Sequence, residues 1–195
     1  MGLTSSGSMF VMAQETRAVN PARAETRACI TKALVKLTQE KALSSISVTE
    51  LCQAAGVSRM AFYRNYDSKE EVFTARLEEV IADYARVTEP LLKAGTLWYD
   101  VGHLSTCFEF FKNNAALMNC LFRCGFTGLL VKSISEFLIG RYGNGTPEGN
   151  YILTAFAGSL CACYPLWAKC GFRESPRQMA ELLGRFYTAI PSASS

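Results

Sequence analysis

Histidine is nearly missing from this chain: His103 is the only one among 195 residues. A zinc site built on paired imidazoles is thereby excluded, and the cysteines do not replace it, because no CxxC pair occurs. Also absent are a GxSxG elbow, a phosphate-binding P-loop and any cluster of acid and base side chains. Catalysis, metal and cofactor therefore have no foothold. No stretch alternates apolar and polar residues as a half-buried strand would, and no internal repeat is visible. The opening MGLTSSGSMFVM has neither a basic start nor a useful apolar run. It reads as part of a mobile tail over residues 1–20 and not as a secretory leader.

Cysteine is in surplus, with eight at positions 29, 52, 107, 120, 124, 161, 163 and 170. Their spacings are irregular and nothing signals secretion, so a reduced, cytoplasmic chain is expected, with most cysteines acting as small hydrophobes. Cys120 and Cys124 lie one helical turn apart with Arg123 between them, which leaves a redox-sensing alternative open. From Tyr151 to Ala168 no charge appears for eighteen residues, the threshold length for a membrane span. Thr154, Ser159 and Pro165 interrupt it and no basic flank accompanies it. A helix buried in a helical body or an interface explains it better.

The composition, 49% hydrophobic and 19% charged, is that of a globular protein. Net charge is +3, and all of it sits at the front: residues 1–70 carry nine Lys/Arg against six Asp/Glu, while residues 71–195 carry eleven of each. That distribution suits a front that meets a polyanion. Asn20-Pro21 is a helix start, and Ile30, Ala33, Leu34 and Leu37 follow at helical spacing to about residue 42. SVTE at 47–50 and SKEE at 68–71 are capping boxes. The first opens a short helix that Gly56 can stop, Ser58 opens a second, and Ser68 opens a long amphipathic helix reaching about Val87, with Pro90 marking its end. Helical periods then cover about 97–112, 114–124 and 126–141. After the loop GNGTP, helices start at Thr146-Pro147, with a bend expected near Pro165, and at Ser175-Pro176, the last running to about Ala189. The architecture expected is all-α, about nine helices.

Two short helices joined at a glycine cannot bury a core alone. The helices on either side must cover them, which makes a three-helix head carried on a connecting fourth helix. The outer face of the second short helix is then free to enter a DNA major groove, as in a helix-turn-helix. Arg59 can donate twice to guanine, Met60 or Ala61 can pack on a thymine methyl, and Thr49, Tyr63 and Tyr66 offer hydroxyls. Ser58, Arg64 and Lys69 complete the candidate set, Lys69 as a phosphate contact beside the amides that open the long helix. Phe62 points inward with Leu51 and Val57. The plainer alternative is that Arg59 and Arg64 are only a solvated face.

The stretch ITKALVKLTQEKALSSISVTELCQAAGVSRMAFYRNYDSKEEVF, residues 30–73, resembles the tetracycline-repressor (TetR) family of one-component transcription regulators, with AAGVS, FYR and SKEEVF in register. The resemblance implies a homodimer on double-stranded operator DNA, with Thr49, Arg59, Met60, Ala61, Tyr63, Tyr66 and Lys69 at contact positions. Asn65 departs from the aromatic or His usual in the family. The resemblance also implies a rear ligand domain and dimerisation through the last two helices. There the small-residue strip Ala155, Gly158, Ser159 and Ala162 lets a helix approach closely, and Trp167, Met179, Leu182 and Leu183 complete the expected contact.

The division expected is a tail over 1–20, a helix-turn-helix head over 21–67 and an effector-binding and dimerisation part over 68–195, its connecting helix at 68–88. Trp98, His103, Phe108, Phe111, Met118, Phe122, Phe126 and Tyr164 supply apolar wall and polar tips for a small apolar or amphipathic effector. The function expected is a ligand-released repressor on a pseudo-palindromic operator, with no membrane partner. The competing class is an all-helical interaction protein or enzyme whose head merely packs.

Overall fold

The computed structural model describes residues 21–188, so the tail, the Asn20 cap and the expected end at Ala189 lie outside the described residues. Within them the chain forms α1 (Pro21–Glu40), a 3₁₀ turn (Leu43–Ser45), α2 (Val48–Ala55), α3 (Arg59–Tyr63) and α4 (Lys69–Lys93). Then come α5 (Val101–Asn113), α6 (Ala115–Arg123), α7 (Thr127–Tyr142), α8 (Pro147–Lys169) and α9 (Pro176–Thr188). No strand occurs among the described residues, and the all-α architecture with nine α-helices agrees with the sequence reading.

Hydroxyl caps set most of the boundaries. Ser47, Ser58, Ser68, Thr146 and Ser175 each accept the backbone N–H three residues on, at 3.0–3.2 Å. Each cap satisfies one of the donors a helix start leaves open, a contribution of about 1 kcal/mol. The box at Ser175 is reciprocal, since Gln178 Oε1 accepts from Ser175 N at 2.8 Å. The other two differ from the expected pattern: Glu50 pairs with Lys41, and Glu71 reaches past Ser68 to the amide of Asp67.

Pro90 does not end α4. The helix runs one further turn to Lys93: Pro90 withholds only the bond to Arg86 O, and the turn beyond it is closed by Ala94 N and Thr96 N donating to Pro90 O and Leu91 O, both at 3.1 Å. Residues 97–100 are likewise a turn ahead of α5, closed by Asp100 accepting from Leu97 N at 2.8 Å. Helix α8 continues through Pro165 to Lys169.

Ile30, Leu34, Ile46, Leu51, Phe62, Val72 and Phe73 are fully buried or nearly so and fasten α1–α3 to the start of α4. In the rear, α5 packs mainly on α9 and α7 on α8. One connected cluster of buried side chains runs from Ile30 to Leu183, so the front and rear share a core. Helix α1 also touches α6 directly, where Thr38 Oγ1 lies 2.9 Å from Cys120 Sγ and Arg123 donates to Thr38 O at 3.4 Å. Among the described residues α8 is the one helix long and apolar enough to cross a membrane; Phe156, Ala157, Leu160, Cys161 and Tyr164 bury its inner face.

Candidate nucleic-acid interface

The turn between α2 and α3 is held by Gly56, whose φ of 67° and ψ of 29° lie in the left-handed region. Its N–H and that of Val57 close the end of α2 on Gln53 O and Cys52 O at 3.2 and 3.0 Å. Ser58 then caps α3, and Phe62 anchors it at 0% exposure, edge-on to Tyr63 and 5.9 Å from the Tyr66 ring. With Phe62 turned in, its neighbours face out: Arg59, Met60, Tyr63 and Arg64 are exposed, Met60 at 71%. A guanidinium, a thioether and a phenol thus stand on one short helix, with a second guanidinium on the residue that caps its end. These groups suit base edges and phosphates.

The remaining candidates fall in different places. Thr49 is exposed in the first turn of α2, and Ala61 is half-buried. The Ser58 hydroxyl is already accepting from Ala61 N. Tyr66, expected at the surface, is only 3% exposed, because Arg27 of α1 lies over its ring at 4.9 Å; burial raises the phenol's pKa above its ordinary value. The Lys69 ammonium, expected on phosphate, instead donates to Leu43 O and Ile46 O, both at 2.6 Å, and so caps the 3₁₀ turn ahead of α2. Asn65, the departure from the family pattern, links two helices: its Nδ2 donates to Ala61 O at 2.8 Å and its Oδ1 accepts from Arg23 Nε at 3.1 Å.

In the rear, α4 to α8 enclose a space of about 50 Å³ with an almost wholly apolar wall. Trp98, His103, Phe111 and Met118 line it. Phe108, Phe122, Phe126 and Tyr164 do not. Phe108 packs edge-on against Trp167, Phe122 stacks on Tyr164, and Phe126 meets Phe73 of α4, while the Tyr164 hydroxyl donates to Asn119 Oδ1 at 3.0 Å. The sequence reading missed Tyr84, which sits on the wall with edge contacts to the rings of His103, Phe110 and Phe137. Its signal was the helical continuation from Leu77 and Val80. Beside it, burial pushes the Cys107 thiol up to about 12 and lowers the pKa of His103, with Arg141 adding to the latter effect.

Cys120 and Cys124 have sulfurs 4.0 Å apart, but burial pushes the Cys120 thiol up to about 11, which keeps it protonated at neutral pH and slow to oxidise.

Of the expected dimer contacts, Ala155, Ala162 and Leu182 are exposed and Gly158 is half-buried. Trp167, Met179 and Leu183 belong to the core, Trp167 donating to Glu174 O at 2.9 Å, and Ser159 bonds the Tyr187 hydroxyl at 2.9 Å. The exposed apolar residues that the sequence reading passed over are Tyr151 and Leu166 on α8 and Phe186 on α9, the last 75% exposed. Their signal was present: 151, 155, 158, 162 and 166 are three or four apart, and 186 follows 182 by one turn.

Residues 30–75 match the profile of a family described as bacterial regulatory proteins, tetR family. No curated protein matches the chain by sequence. Among solved structures, the chain resembles Lin0861 from Listeria innocua at 16% identity and a TM-score of 0.71, over 87% of this chain and 93% of that one. It also resembles DhaS, a dihydroxyacetone kinase operon activator, at 20% identity and a TM-score of 0.54, over 84% of this chain and 94% of that one. At such identities the two likenesses speak for the fold alone. The matched stretch is the one that turns Arg59, Met60, Tyr63 and Arg64 outward, and on that match residues 30–75 form a DNA-binding domain of the tetR type, that of a regulator of transcription.

Proposed function

We propose that the protein is a cytoplasmic homodimeric repressor that reads a pseudo-palindromic operator and is released by a small apolar or amphipathic effector. The observation that carries this reading is α3, where Phe62 holds the helix down and leaves Arg59, Met60, Tyr63 and Arg64 exposed side by side. In this reading residues 21–67 form the DNA-binding part and 68–195 the effector and dimer part. Two copies of α3 would then stand one DNA turn apart, ~34–36 Å. The exposed faces of α8 and α9, with Tyr151, Leu166, Leu182 and Phe186, are the surface on which a second copy would sit.

Helix α4 is the natural lever between the two parts. Its first turn carries Lys69, which holds the carbonyls ahead of α2; Phe73 sits in the front core; Tyr84, three turns on, is in the cavity wall. An effector that binds better to the spacing unfit for DNA shifts the dimer toward that spacing by its difference in affinity. Gel-shift titration against the DNA flanking the protein's own gene tests the reading. Retarded DNA that an effector releases is the expected result. Transcription that falls, not rises, when the gene is deleted would reverse the sign to activation, the role that DhaS's name gives that protein.

A further inference from the structure

The wall of the rear cavity holds one buried polar side-chain atom left without a hydrogen-bond partner. His103 is 2% exposed, and its Nδ1 is buried with no hydrogen-bond partner. Its other ring nitrogen, Nε2, lies 3.1 Å from the Tyr142 hydroxyl. A buried ring nitrogen left unpaired costs roughly 1–3 kcal/mol, a cost that a partner inside the cavity would remove.

Neighbouring charges decide which kind of partner that is. Arg141 donates to Glu89 Oε2 at 2.8 Å, and its guanidinium also acts on the Tyr142 hydroxyl and on His103. A cation beside the phenol oxygen attracts its lone pairs and turns the O–H away, toward His103 Nε2. Burial, reinforced by Arg141, keeps the imidazole neutral, so with Nε2 accepting, the single ring proton belongs on Nδ1. Besides Asn114, whose Nδ2 already donates to Phe110 O at 2.9 Å, the wall therefore offers a buried N–H donor left without a partner at His103. No Lys, Arg, Asp or Glu lines it, Arg141 standing outside the lining and paired with Glu89, and a buried ion without a countercharge costs several kcal/mol.

We propose that the effector is a small uncharged aromatic carbonyl compound whose oxygen accepts a hydrogen bond from His103 Nδ1–H while its ring lies among Tyr84, Phe110 and Phe137. This rests on reading the cavity as the effector site. About 50 Å³ is less than the ~150 Å³ that admits benzene, so even a one-ring ligand must displace those side chains. Tyr84 belongs to α4, and its displacement is how the ligand would reach the front of the molecule.

Fluorine NMR titration of the intact protein with 4-fluoroacetophenone, 4-fluoroethylbenzene and 4-fluorobenzoate tests this, with Ile134→Trp, which fills the cavity, assigning binding to it. The ketone's affinity relative to the ethyl compound is expected to drop about fivefold in His103→Leu, the worth of one neutral hydrogen bond. A smaller drop is expected in Tyr142→Phe, which releases the tautomer and serves also if His103→Leu fails to fold. A ratio unchanged in the variants, or benzoate binding as well as the ketone, overturns the proposed class and leaves the cavity as an effector site. Binding by none of the three probes, or binding that survives Ile134→Trp, overturns the effector-site reading and this proposal with it.

Discussion

Single residues account for the sharpest features of the front. Gly56 has open space around it, so the cost of Gly56→Ala comes from its positive φ alone, about 1–2 kcal/mol. Urea denaturation is expected to show that loss with an unchanged slope. His103 gives a second expectation. Its folded pKa lies below the ordinary value of 6.5, so between the two values the unfolded chain holds the proton and the folded chain does not. Its contribution is complete above about pH 6.5 and is lost as pH falls below it. Thermal melts from pH 7 to pH 5 should therefore fall less steeply in His103→Leu than in the parent. At this scale the sequence was only partly legible. Phe62 could be placed inside and Arg59 outside from helical spacing, but the burial of Tyr66 depends on Arg27, thirty-nine positions earlier, folding over its ring.

At the scale of elements, the capping serines made the helix starts legible, because a cap is a local bond between residues three apart. Ends were less so: Pro90 looks like a terminator, yet α4 runs past it to Lys93, its last turn closed by backbone bonds to Pro90 O and Leu91 O. The lining of the cavity was the least legible, since four of the eight residues named for it fill gaps between helices instead. Lys69 shows what an element can demand of a side chain. By capping Leu43 O and Ile46 O it joins the start of α4 to the entry of α2. Lys69→Met should destabilise the protein by roughly 1.5–3 kcal/mol, the worth of hydrogen bonds to a charged group, measured by chemical denaturation. An unaltered midpoint would return Lys69 to the role of a phosphate contact.

For the whole molecule, reading a pseudo-palindromic operator requires two copies. The uncovered apolar side chains of α8 and α9 are the proposed joint, and a charge placed there would have to be buried against its own copy. Leu166→Glu with Phe186→Glu is expected to convert a dimer to a folded monomer in sedimentation velocity and to abolish operator binding by removing the second half-site contact. A chain that sediments as a monomer before any substitution would remove that joint from the account. The central claim, that α3 reads DNA, is tested most directly by fluorescence anisotropy on operator DNA at several salt concentrations, comparing the parent with Arg59→Ala/Tyr63→Ala. Binding is expected to weaken steeply with salt, and the double variant to keep its helical circular dichroism but bind at least about tenfold more weakly, with a shallower salt slope. Equal affinity of the two proteins for the operator would contradict it.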